Sequence, residues 1–338
     1  MAAPTVYKWS DANAPVLIAS TTNKSKSFVE LLKACLVTGY GSKTPPGLGY
    51  NLRYEAADGT AIALQSNNPL ANGFFYQIAT EDAYTQAAGG DITYARVDMY
   101  EHMQSATTGK VMGTLGALFR VAQTAGYPDA PVPWVVVADD RFFYIFIYSY
   151  STFRTSLKPD MSAAWASSCG CAGDFVRLID DPWSSLVWGY DYGSSNGNAF
   201  GQMTDYYSTH PGLSYLALKR KVGGAPGASA CIVVSGGGPL ATSVGSISPM
   251  GGYFNGSYLP APYATKSPVI ISRPSLHDIG SSPVMRGYLP GLWYPCHLTP
   301  FSNLTQVSVG GKDFLAVSVR VYSGLAGQVL ISLADWRA

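Results

Sequence analysis

The chain has 338 residues, of which 47% are hydrophobic and only 13% are charged, and it contains 36 Gly, 22 Pro and 23 Tyr. This composition is typical of short strands joined by tight turns, so we predict a mainly β fold with an antiparallel β-sandwich-like body. The formal net charge of +1 removes the electrostatic case for nucleic acid or an anionic membrane as a partner. Few charges together with many aromatic residues indicate a surface partly buried against other subunits.

One amphipathic helix is predicted near the start of the chain. Ser27 and Glu30 have the spacing of a capping box at its N-terminus, and Gly39 is expected to end it in a left-handed conformation. An isolated helix of about three turns is unstable in water, so its apolar face must dock on another part of the protein. Five residues at helical spacing form this docking face: Phe28, Leu31, Leu32, Cys35 and Leu36.

Strands and turns are predicted through the rest of the first third. Two alternating runs around Asp58-Gly59 predict a hairpin over residues 50–65, because both turn residues tolerate a positive φ. Further strands are predicted at 73–79 and 94–102. Residues 113–123 fit either a short helix or a strand, and their periodicity does not decide between the two.

A second hairpin is predicted from Trp134–Ala138 and residues 142–148, with Asp139-Asp140 at its turn. Both strands are apolar on both faces, which places them in the middle of a core or at an interface. The remaining predicted strands lie at 174–192, which Asp181-Pro182 interrupts, and at 215–220, 230–235, 269–272, 284–293, 314–321 and 328–333.

Residues 236–267 form a long run of Gly, Ser, Pro, Tyr and Asn without a period. Such a segment is uncommon inside a compact domain, so we interpret it as an exposed functional loop, a wrapping arm or a domain linker. We divide the chain into residues 1–125, with the helix and hairpins, and residues 126–338, a larger sandwich-like region that carries this loop. One continuous domain is the alternative.

The strongest catalytic pattern is G-x-S-x-G at Gly193, Ser195 and Gly197. In a nucleophile elbow this serine stands on a strand-to-helix turn, but here the motif lies in a polar loop with no helix signal after it. His277-Asp278 and His297 follow in an order that suits triad partners, although four scattered histidines produce such an order by chance. A hydrolase of cell-envelope polymer that uses Ser195 is therefore the alternative hypothesis of a different class.

Other patterns have structural explanations. Residues 39–44 follow a helix, whereas a phosphate-binding loop precedes one. A single C-x-C at Cys169-Gly170-Cys171 is not a zinc signature, and we predict loop cysteines there. The pairs Asp139-Asp140 and Asp180-Asp181 lie at predicted turns, where Asp bonds the local backbone. We predict no catalytic residue, no cofactor and no metal.

A surface for a partner or receptor is predicted in the second half of the chain. The loops at 189–214 and 236–267 are rich in Tyr, Ser, Gly and Asn, a composition typical of adaptable protein-binding loops. Alternatively, the Trp residues belong to the core and the Tyr residues to an intersubunit contact. The candidate contact residues are Trp183, Trp188, Tyr190, Tyr192, Tyr206, Tyr207, Tyr253, Tyr258 and Tyr263.

The run WSDANAPVL, followed by SFVELLKACLVTGYGSK, resembles the opening of a family of virion structural proteins of tailed bacteriophages and prophages. The family pattern is W-S-D-x-x-A-P-V-L and then L-L-x-A-C-L-V-x-G-Y-G-x-K. Residues 100–109, 134–148 and 286–298 are similar to later family segments. The chain departs from the family at residues 45–48, where G-W is usual, and in its middle third.

The resemblance implies a non-enzymatic virion component that is located in the tail, the baseplate or the tail tip. A position on the capsid surface or as an adaptor is the alternative. The resemblance also implies a protein that binds other virion proteins and is made in the bacterial host cytoplasm. We expect a symmetric homo-oligomer because closed cyclic assemblies are prevalent among proteins in general. A host-surface glycan or protein is a further expected partner of the variable loops. We predict neither a secretory signal nor membrane insertion.

Overall fold

The computed structural model describes residues 3–18, 25–81, 92–112, 117–123, 131–148, 166, 168–180, 182–189, 215–217, 230–235, 271–278, 285–295, 301–320, 326–334 and 336–337. These residues form several antiparallel sheets and one short helix, which confirms the predicted mainly β fold. The predicted loop at 236–267 lies outside the described residues.

The helix and the strands follow one another along the chain. In order they are β1 Thr5–Lys8, α1 Lys26–Lys33, a π-helical turn Ala34–Thr38, β2 Tyr50–Glu55, β3 Ala61–Ser66, β4 Phe75–Glu81, β5 Ile92–Met103, β6 Gly109–Val111, β7 Ala117–Gln123, β8 Trp134–Ala138, β9 Phe142–Ile147, β10 Ser168–Asp174, β11 Val176–Arg177, β12 Ser185–Trp188, β13 Tyr215–Ala217, β14 Ala230–Ser235, β15 Ile271–Ser272, β16 Pro274–Asp278, β17 Met285–Tyr288, β18 Leu292–Pro295, β19 Gln306–Val309, β20 Lys312–Arg320 and β21 Ala326–Ser332.

The central sheet has the strand order β1-β8-β9-β10-β12. Its hairpin β8–β9 turns at Asp139-Asp140, as predicted, with Ala138 opposite Phe143. Every residue of β8 and β9 is buried, so this hairpin is covered on both faces, as its continuous apolar pattern predicted.

On one face of the central sheet lie α1 and a helix-side sheet of order β2-β3-β4-β5-β6, in which β7 also pairs with β5. The hairpin β2–β3 confirms the predicted turn, and Gly59 there has a φ of 71°. Ala95, Val97 and Met99 alternate inward along β5. Side chains of α1, the helix-side sheet and one face of the central sheet share a single core cluster.

The other face of the central sheet packs against the outer sheet, of order β15-β18-β21-β20-β19. A lateral sheet of order β11-β17-β16-β14-β13 contributes Leu276 to the same core cluster. The central sheet is therefore the middle layer of the described fold. Because β1 pairs with β8, the central sheet contains residues from both sides of position 125, and the predicted domain division stays a prediction.

The predicted capping box of the helix is wrong. The residue that precedes α1 is Ser25, which has a left-handed backbone and makes no side-chain capping bond. The Ser27 hydroxyl instead bonds both the backbone N–H and the carbonyl of Ile18, at 3.1 and 3.0 Å. At the other end Gly39 has the expected positive φ of 74°, but its ψ of 173° is not left-handed helical.

Three other predictions are decided by the structure. Residues 117–123 form strand β7, so the helical alternative for this region is wrong. Cys169 and Cys171 are buried in β10 and not in a loop, which corrects the predicted loop cysteines. The predicted strand at 284–293 is two strands, β17 and β18, because Gly291 turns the chain between them with a φ of 64°.

Candidate functional site

The segments WSDANAPVL (residues 9–17) and GYGSK (residues 39–43), which we call the cassette, lie against each other. The Asp11 carboxylate accepts hydrogen bonds from the Lys8 backbone N–H at 2.8 Å and from the Tyr40 hydroxyl at 2.9 Å. Lys43 Nζ lies 3.7 Å from the same carboxylate and donates to the Val6 carbonyl at 2.8 Å. One carboxylate therefore joins the two conspicuous motifs of the sequence.

The two glycines of GYGSK are required by this contact. Tyr40 and Lys43 exchange backbone hydrogen bonds of 3.0 and 2.8 Å, which form a tight turn. Gly41 has a φ of 54°, and a Cβ atom there would clash with the Ala12 carbonyl oxygen. A Cβ atom at Gly39 would clash with the Lys43 carbonyl oxygen. Only glycine fits both the backbone and the space at these positions.

Aromatic rings join the cassette to the central sheet. Tyr40 packs edge-on against Trp134 with a ring-centroid distance of 6.3 Å, and Trp134 Nε1 donates to the Pro15 carbonyl at 3.1 Å. The Tyr7 hydroxyl donates to the Thr44 carbonyl at 2.6 Å. Burial is the largest cause that raises the pKa values of Tyr7 and Tyr40, so both phenols stay protonated donors at neutral pH.

The predicted docking face of the helix lies inside the core. The helix α1 packs against β3 and β4, and the ring of Phe28 contacts the ring of Phe119 at a centroid distance of 5.5 Å. Lys33, which is not part of this face, pairs with Glu55 at 2.6 Å. All five predicted residues are fully buried: Phe28, Leu31, Leu32, Cys35 and Leu36. The helix therefore docks within the chain and offers no apolar face to a partner.

Two of the nine candidate contact residues lie in the described part of the chain. Trp188 is 4% exposed and belongs to the core between the central sheet and the outer sheet, so its ring is not accessible to a partner. Trp183 is half-buried and stacks on Phe74 at 5.5 Å with an interplanar angle of 14°. The others lie outside the described residues: Tyr190, Tyr192, Tyr206, Tyr207, Tyr253, Tyr258 and Tyr263.

Asp139 forms a buried ion pair with Arg337 that no sequence pattern predicts. Asp139 caps its own turn, as predicted, by accepting from the backbone N–H groups of Arg141 and Phe142. Its second carboxylate oxygen also accepts from Arg337 Nε at 2.9 Å, and both side chains are less than a tenth exposed. A separation of 198 residues leaves no local signal for this pair.

Asp174 extends this buried network. Arg337 donates to its backbone carbonyl at 2.7 Å, and its carboxylate accepts from the Ser185 hydroxyl and from the Asn72 backbone N–H. Tyr76 also donates to that carboxylate, at 3.2 Å. Burial raises the pKa of Asp174, although these hydrogen bonds and Arg337 act in the opposite direction.

The residues of the predicted catalytic and metal-binding patterns lie at the following places in the structure. Ser195 and His297 lie outside the described residues, and His277 lies on β16 opposite Ile232. Burial raises the pKa of Cys171 well above its usual value, which disfavours the thiolate that nucleophilic attack or metal binding needs. Within the described ranges, no three His, Cys, Asp or Glu residues are grouped to hold a metal ion.

None of the helices in the described part of the chain is long and apolar enough to cross a membrane. Comparison of the sequence with protein-family models finds no match, and comparison with curated proteins finds none either. The contacts of the cassette and the motif resemblance are therefore the basis on which a function can be proposed.

Proposed function

We propose that this protein is a non-enzymatic structural subunit of a bacteriophage virion, assembled as a symmetric oligomer in the tail, baseplate or tail tip. One observation carries the proposal: the motif residues that resemble those of tail-associated virion proteins make internal framework contacts. Asp11, Tyr40 and Lys43 join two segments that are about thirty residues apart in the chain. Such motif residues suit an architectural role.

The layered core supports the same role. The central sheet is covered on both faces, and the cassette is joined to it through Trp134. Close packing on both faces makes such a sheet resistant to deformation, as a subunit that transmits force within a particle needs to be. The low charge content suits surfaces that are covered by neighbouring subunits. The proposed partners are copies of this chain and other virion proteins, with a host-surface glycan or protein at the variable loops.

Purified phage particles test the proposal directly. We expect mass spectrometry to find the chain in the particles, and antibody labelling in electron micrographs to mark the tail. Label on the capsid or at the head–tail junction would favour the alternative capsid-surface or adaptor position. Absence from the particles, together with a stable monomer that binds no virion component, would overturn the proposal.

A matched pair of variants tests the part assigned to the cassette. Tyr40→Phe removes only the hydroxyl that donates to Asp11, whereas Tyr54→Phe removes a hydroxyl that donates to the Met103 carbonyl in the helix-side sheet. We expect Tyr40→Phe to lower incorporation into particles more than Tyr54→Phe, because a bond to a charged acceptor contributes about 1.5–3 kcal/mol and a neutral one about 1 kcal/mol. Equal incorporation of both variants would show that the cassette bond has no special part in assembly.

The hydrolase hypothesis has its own test. If Ser195 were a nucleophile, Ser195→Ala would abolish the release of fragments from purified cell-envelope polymer. We expect the unsubstituted protein to release no fragments. A serine-dependent release would refute the non-enzymatic proposal.

A further inference from the structure

The outer sheet carries an apolar patch on the face that points away from the central sheet. Phe314, Ala316 and Leu330 are its buried base. Trp293 is partly buried on this base and meets Phe314 edge-on at a ring-centroid distance of 6.2 Å. The patch therefore presents part of an indole ring at the surface of the described fold.

Two cations lie over the ring of this indole. Lys312 Nζ is 5.4 Å from the Trp293 ring centroid, and Arg273 Cζ is 6.0 Å from it. Arg273 also lies 4.5 Å from the ring centroid of Tyr288. Lys312 is exposed, while the other three side chains are half-buried. We call these four residues the Trp293 site.

Among the described residues, the Trp293 site has positive charge without a counter-charge. Neither cation forms an ion pair with an acidic side chain of those residues, and the buried Arg273 Nε has no hydrogen-bond partner there. The nearest acidic residue in sequence, Asp313, accepts a bond from the Ser308 hydroxyl. An aromatic ring attracts an exposed cation only weakly, so one indole compensates two like charges poorly.

We propose that the Trp293 site binds an acidic saccharide of the uronic acid type. The carboxylate accepts hydrogen bonds from Lys312 and Arg273, and the apolar face of the sugar packs on the part of the indole that these cations and Phe314 leave exposed. Guanidinium and ammonium groups both donate strongly to a carboxylate. A long polyanion such as nucleic acid needs many more cations than two, and the chain has a net charge of only +1.

This inference gives a chemical class to the host-contact part of the proposed function and rests on that function for its biological meaning. Bacterial surface polymers that carry uronic acids are a suitable source of the ligand. The binding itself is measured on the purified chain, so its failure is distinguishable from a failure to find the chain in particles.

Calorimetric titration of the protein with trigalacturonic acid, and with neutral maltotriose, tests the inference. We expect trigalacturonic acid to bind about tenfold more tightly, and its binding to weaken when salt rises from about 20 to about 200 mM, because salt screens exposed charges. Equal binding of the two sugars, or no binding of the acidic one, would overturn the inference. So would sodium acetate that competes as well as the trisaccharide, since the site would then bind a simple anion.

Single-charge variants locate the binding. Lys312→Gln and Arg273→Gln should each weaken trigalacturonic acid binding about 3- to 10-fold, which is the range for one charged hydrogen bond at a partly exposed site. Arg53→Gln is the matched control, because Arg53 is an exposed strand cation of the helix-side sheet. Thermal unfolding of Lys312→Gln should be unchanged, since this side chain is exposed. Unchanged affinity in both site variants, or equal weakening by Arg53→Gln, would refute the assignment.

Discussion

Replacement of Arg337 by Met isolates the buried ion pair with Asp139. The Arg337 and Asp139 side chains are only 7% and 9% exposed, and Arg337 also donates to the Asp174 carbonyl at 2.7 Å. Met keeps most of the apolar stem but leaves the Asp139 carboxylate buried without its cation. Removal of one partner from such a pair costs about 3–5 kcal/mol in the free energy of unfolding.

The expected loss depends on pH through Asp174. Burial raises the folded-state pKa of Asp174 above its unfolded value, and Arg337 is one of the groups that hold it down. A raised folded-state pKa means that the folded protein binds the proton more tightly, so stability falls as pH rises through the interval between the two values. Without Arg337 the folded-state pKa of Asp174 rises further, so the pH interval over which stability falls extends to higher pH. The stability gap between the unsubstituted protein and Arg337→Met should therefore narrow when pH falls from 7 to 5.

Urea unfolding followed by tryptophan fluorescence measures this gap at both pH values. In thermal unfolding the same loss corresponds to a melting temperature lower by roughly 4–7 °C for a chain of this length, from an unfolding entropy of about 2.1 cal/mol/K per residue. Arg53→Met, at an exposed strand position, is the control and should change little. A loss below about 1 kcal/mol at pH 7, or a gap that widens toward pH 5, would refute the reasoning.

Two further predictions concern the cassette and the cysteines. Gly41→Ala should destabilise the protein by about 2–4 kcal/mol in urea unfolding, because it combines a positive φ with a clash against the Ala12 carbonyl. Gly59→Ala, which has a positive φ and open space, should cost only about 1 kcal/mol; equal losses would argue against the close contact. Cys35 and Cys171 should resist a thiol reagent in the folded protein and react after unfolding, because burial raises both thiol pKa values; fast reaction of either in the folded state would contradict their placement.

Local periodicity predicted much of the fold correctly. The apolar spacing of Phe28 and Leu32 is a property of one helix face, and the alternation in β5 is a property of one strand. The continuous apolar pattern of β8 and β9 even predicted burial on both faces. Such patterns need only a few consecutive residues, because backbone geometry converts them directly into faces.

Predictions from local sequence patterns were wrong where contacts with residues distant in the fold decided the local structure. Ser27 has the spacing of a capping box, but its hydroxyl bonds Ile18, which lies before the helix. The single C-x-C pattern, which is not a zinc signature, predicts loop cysteines at Cys169 and Cys171, but both lie in β10. In the fold a Cβ atom at Gly170 would clash with the Trp188 carbonyl oxygen, so this glycine permits the close approach of β10 and β12.

The sequence by itself determined the strand-rich class, the hairpin turns and the burial of the helix face, because these follow from backbone sterics and short-range periodicity. Only the tertiary structure decided which sheet lies in the middle, that Asp139 meets Arg337, and that Arg273 and Lys312 share one indole. These contacts form when strands that are distant in sequence pack together to bury apolar area. The charged residues that meet in this way are not separated by any regular sequence spacing, so no local pattern predicts their contact.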